Sequence, residues 1–134
     1  MSLKSATSGI AANQSQQLLF KLSGANFQST ADQQFTKVFG GTNYFITTIV
    51  ARQRTGAASV ACAGGIYDAA SKGGNALVAA AQSWVTLAST VIVQATLAAV
   101  AGTALESATP YLSLTTGSTA AITGDVFIYG FDIS

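Results

Sequence analysis

The chain has 134 residues, enough for one domain that buries roughly two-thirds of its unfolded surface without help from disulfides or metal. Only 8% of its residues are charged, against about 25% in an ordinary globular protein, while 49% are hydrophobic and the mean hydropathy is +0.43. Six basic and five acidic residues leave a net charge of +1 with no basic stripe and no polybasic segment, which argues against nucleic acid and anionic membrane as partners.

Residues 1–17 are small and polar, with Leu3 and Ile10 as isolated apolar side chains, and predict an extended polar N-terminal arm without a core of its own. The first residues hold no continuous apolar run, so no signal peptide is expected, and the Asn13-Gln14-Ser15 sequon means little without secretion. Residues 18–134 are expected to form the ordered domain. The first strand is predicted over 18–23, where Leu18, Phe20 and Leu22 share one face and Lys21 and Ser23 the other. A turn over 24–32 leads to a short strand over 34–39, and Gly40-Gly-Thr-Asn43 reads as the next turn.

The segment 44–54 is β-branched and aromatic throughout and predicts a long strand, with Arg52 and Arg54 on one side. A strand over 59–67 follows, with Gly64-Gly65 marking a bulge or a close backbone approach. Residues 68–75 read as a loop, and the alanine-rich 76–82 fits either helix or strand. Between Lys72 and Glu106 no residue is charged, but Gln82, Gln94 and several Ser and Thr interrupt the run. Val91, Val93, Ala95 and Leu97 alternate onto one face, so strands over 84–87 and 91–97 are expected in place of a membrane helix. Further strands are predicted over 111–115 and 125–133. The last is apolar on both faces, with Phe127, Tyr129 and Phe131 on one side and Val126 and Ile128 on the other. Such a strand is central in its sheet or covered by a neighbouring subunit. About eight short strands with frequent Gly, Ser, Thr and Asn turns predict an all-β antiparallel sandwich, jelly-roll-like in kind.

Candidate chemistry is thin. The absence of histidine removes Ser-His-Asp and Cys-His catalysis, and the lone Cys62 builds no structural zinc site and reads as a small buried hydrophobe. Asp32, Asp68, Glu106, Asp125 and Asp132 match no acid/base or calcium-loop spacing, and an unbroken strand puts Asp125 and Asp132 on opposite faces. A hydrolase would need two of Asp32, Asp68, Asp125 and Asp132 to converge in a cleft. Ser71-Lys-Gly-Gly74 has its lysine and glycine in the wrong order for a phosphate loop and reads as a surface turn. Neighbours in sequence, Ser71 and Lys72 do not form a Ser-Lys nucleophile pair without a special fold. Tyr67, Trp84, Tyr111 and Tyr129 could stack on sugars if exposed, but their dispersal among strands makes a core role the default. These residues predict a non-catalytic protein with no cofactor. The sparse charge and neutral polar surface suit contact with other subunits.

Two segments carry a resemblance, Gly64-Gly-Ile-Tyr-Asp-Ala-Ala-Ser-Lys-Gly-Gly-Asn-Ala-Leu-Val-Ala-Ala-Ala-Gln82 and Tyr111-Leu-Ser-Leu-Thr-Thr-Gly-Ser-Thr-Ala-Ala-Ile-Thr-Gly-Asp-Val-Phe-Ile-Tyr-Gly130. In texture and segment order, from about Leu18 onward, the chain resembles small virion proteins of tailed bacteriophages, in particular capsid decoration (cement) proteins. That resemblance implies a jelly-roll-like subunit, made in the host cytoplasm and carried on the capsid exterior. It would commonly be a homotrimer seated on the major capsid protein. A phage tail, fibre or spike subunit that binds the host shares the same texture. In either setting the arm is expected to contact the capsid or a sister subunit, through Leu3, Lys4, Ile10, Gln14, Gln16 and Gln17. About 17 residues reach on the order of 50 Å when extended.

Overall fold

Short runs of alternating apolar and polar residues, broken by Gly, Ser, Thr and Asn, dictate strands whose inward side chains need a second sheet to cover them. The computed structural model describes residues 16–38, 43–56, 60–98 and 108–133. Their strands are β1 (Gln17–Asn26), β2 (Gln33–Gln34), β3 (Thr36–Lys37), β4 (Tyr44–Gly56), β5 (Ala63–Ala69), β6 (Gly73–Val78), β7 (Val93–Gln94), β8 (Tyr111–Thr116) and β9 (Ile122–Asp132). All pairings are antiparallel. They make a five-stranded sheet in the order β3-β1-β9-β4-β7 and a four-stranded sheet in the order β2-β8-β5-β6. The described residues contain no helix, and so none long and apolar enough to cross a membrane.

One core fills the space between the sheets. Phe20, Tyr44, Ile46, Ile49, Val126 and Ile128 enter it from the five-stranded sheet, and Ile66, Leu77, Val78, Leu112 and Leu114 from the other. The Phe20 and Tyr44 rings meet edge to face at 5.2 Å. Trp84 is wholly buried, packs at 5.8 Å from Phe27, and donates its Nε1–H to the Gly64 carbonyl at 3.1 Å. This antiparallel sandwich is the fold class that the alternation predicts.

Several elements differ from expectation in instructive ways. The strand expected over 34–39 splits at the buried Phe35: β2 joins the four-stranded sheet and β3 the five-stranded one, so the chain changes layers there. Residues 68–75 are not a loop. β5 and β6 form a hairpin through them, with Ser71 and Lys72 both at a φ of 58°. The sequence lacks the Asn-Gly pair that normally announces such a turn, which hides it. Residues 84–87 form a turn closed by the Leu87 N–H on the Trp84 carbonyl, because the indole is drawn into the core and cannot alternate outward. Of 91–97 only Val93–Gln94 pairs as a strand, with isolated bridges at Val91 and Leu97. The ambiguous 76–82 is strand as far as Val78 and then turns, the Gln82 N–H bonding the Ala79 carbonyl. β1 begins at Gln17, one residue inside the expected arm.

The expected irregularity at Gly64-Gly65 is present. The β5–β8 register shifts between Ala63 and Gly64, and a Cβ on Gly64 would stand 2.3 Å from the Leu114 Cα. Glycine lets the two backbones approach where any side chain would collide. β9 lies between β1 and β4, a central strand as its doubly apolar pattern predicts. Its inward residues are buried in the core, whereas Phe127, Tyr129 and Phe131 on the other side are only half-buried.

Candidate interaction face

The outer face of the five-stranded sheet is a grid set by strand register. Asp125 lies opposite Arg52; Phe127 is flanked by Lys21 and Val50; Tyr129 by Leu18 and Thr48; and Phe131 faces Phe45. Paired residues on neighbouring strands project to the same side, so these side chains form one surface. Gly130 tightens its aromatic end. A Cβ there would lie 2.1 Å from the Phe45 carbonyl oxygen, and its absence lets β4 close on β9 beside a register shift between Ile46 and Thr48. Leu18, Phe45, Val50, Phe127, Tyr129 and Phe131 are all half-buried, and no described strand packs over them.

The two ends of this face differ in charge. At one end the Asp125 side chain, 5% exposed, pairs with Arg52 at 3.3 Å and with Arg54 at 3.5 Å, and accepts the Gly24 N–H at 3.0 Å. A register shift between Gln53 and Thr55 accompanies the arrival of both arginines at one carboxylate. Burial by itself would raise the Asp125 pKa. The Gly24 N–H and the two guanidiniums outweigh it, and the carboxyl is held below its ordinary value. Lys21 Nζ and the Arg52 guanidinium lie 5.7 and 6.0 Å from the Phe127 ring centre, within cation–π range. At the other end Tyr129, Phe131 and Phe45 carry no charge.

The remaining candidates are dispersed. Asp132 lies opposite the core residue Tyr44, on the inward side of β9 and away from Asp125, as their spacing predicts. Asp32 accepts the Ser71 N–H at 2.7 Å and Asp68 the Asn75 N–H at 2.6 Å, so these two carboxylates brace the β5–β6 hairpin. That Ser71 N–H, with the Ser113 hydroxyl and the Lys72 charge, lowers the Asp32 pKa. Lys72 turns away from Ser71 and donates to Ser113 Oγ at 3.0 Å. This cross-strand Ser-Lys contact is a poor nucleophile pair. Ser113 is 1% exposed, which leaves its hydroxyl out of reach of a substrate. Cys62 is buried, and burial pushes its thiol up to about 11. Among the described residues no three His, Cys, Asp or Glu side chains gather as a metal site.

Of the aromatics, Trp84 and Tyr67 belong to the interior, while Tyr111 and Tyr129 are half-buried. A shallow groove of about 390 Å³ beside Ala79, Gln82, Thr96 and Leu97 offers only small neutral groups. Of the residues expected to make subunit contacts, Leu3, Lys4, Ile10 and Gln14 lie outside the described residues. Gln16 is exposed, and Gln17 opens β1 opposite Gly130, on the inward side of the sheet and not on the outer face. The face itself was half legible: the doubly apolar 125–133 and the Arg52/Arg54 side were visible, but their union with Leu18, Lys21 and Phe45 was not. Comparison with protein-family models, with curated proteins and with solved structures finds no match to the chain.

Proposed function

We propose that this chain is a structural virion protein, a capsid decoration (cement) protein that bridges and stabilises major capsid subunits from the capsid exterior. The observation that carries the reading is the aromatic outer face of the five-stranded sheet, over which no described strand packs, in a chain with few charges to keep subunits apart. A continuous antiparallel sandwich behind that face supplies the stiffness a bridging subunit needs. The phage-like texture of residues 64–82 and 111–130 supplies the setting. In this role the chain does no chemistry and binds the major capsid protein and copies of itself, with residues 1–17 adding contacts beyond the sandwich. Such contacts gain from repetition across a particle.

Mixing the purified protein with undecorated capsids tests the reading. Saturable binding that raises the temperature of capsid disruption is expected, and removal of residues 1–15, which leaves β1 whole, should lower occupancy. Absence of binding to capsids with vacant sites would sink it. The partly exposed Tyr129 and Phe131 rings favour one second reading, a tail, fibre or spike subunit whose aromatic face binds a host glycan. Glycan-array binding that Tyr129→Ala abolishes, together with density on the tail and none on the head, would select it.

A further inference from the structure

We draw no further inference here: the strongest candidate, the aromatic outer face of the five-stranded sheet around Phe127, Tyr129 and Phe131, is net positive under Lys21, Arg52 and Arg54, and nothing in the structure shows what covers it.

Discussion

Arg52 and Asp125, 73 positions apart in the chain, stand directly opposite each other on β4 and β9, and the Arg52 guanidinium reaches the buried carboxylate at 3.3 Å. Arg54 and the Gly24 N–H approach the other carboxylate oxygen, so one acid gathers groups from two flanking strands. The contact joins three strands at the charged end of the outer face.

This arrangement contributes to the acid limb of the stability curve. The folded pKa of Asp125 lies below its ordinary value, so its contribution is complete above the unfolded-state pKa of about 3.9 and is lost as pH falls through the folded value. Asp125→Asn should cost about 1–2 kcal/mol at pH 7, the exposed guanidiniums keeping the loss modest. Urea unfolding at pH 7 and at pH 3 checks it: the gap between wild type and variant should narrow at the lower pH.

Trp84 makes a second test. Its ring fills the core and its Nε1–H satisfies the carbonyl of Gly64, where β5 and β8 leave no room for a side chain. Trp84→Phe should cost about 2–3 kcal/mol, combining lost volume with an unpaired buried carbonyl, and Trp84→Ala about 3–5 kcal/mol. Chemical denaturation followed by far-UV circular dichroism measures both.

Cys62 should be inert in the folded protein. Its Sγ–H points at the Phe27 carbonyl at 3.6 Å, and burial holds the thiol near 11 against an ordinary 9.0. A thiol reagent at pH 8 should label it only after denaturant is added. Because the unfolded thiol ionises first, this residue should erode stability as pH climbs from 9.0 toward about 11, and Cys62→Ala should remove that slope.

The β5–β6 turn stores strain that a substitution can release. Ser71 sits at a φ of 58° with an exposed side chain, while its N–H is held by Asp32. Asparagine tolerates the left-handed region better than serine, so Ser71→Asn should stabilise by about 0.5–1 kcal/mol, visible as a raised melting temperature. Lys72→Asn at the neighbouring φ of 58° should gain less, because it gives up the bond to Ser113.

Much of the architecture was open to a reader of the chain alone. Apolar, β-branched and aromatic runs at 18–23, 44–54, 111–115 and 125–133 locate β1, β4, β8 and β9. Leu18, however, does not share a face with Phe20 and Leu22 as expected: a register shift between Leu18 and Phe20 turns Leu18 outward beside Tyr129 while Phe20 and Leu22 face inward. Where local pattern and tertiary demand disagree, the pattern misleads. Residues 84–87 look like strand, but the Trp84 indole is worth more in the core than a ladder is to four residues. The 70–73 turn looks like loop, since its positive φ values are imposed by the hairpin and braced by Asp32 from a distant segment.

The assembly of the outer face from distant segments belongs to the tertiary structure. By itself the sequence determines that charges are few, that histidine is absent and that the final strand is apolar on both sides. Lys21, Arg52, Arg54 and Asp125 look scattered along it, and Leu18, Phe45 and Tyr129 look like three unrelated core residues. The order β1-β9-β4 brings them onto one surface and divides that surface into a charged end and an aromatic end. Strand order and register arise from pairings between distant segments, which a local pattern does not encode.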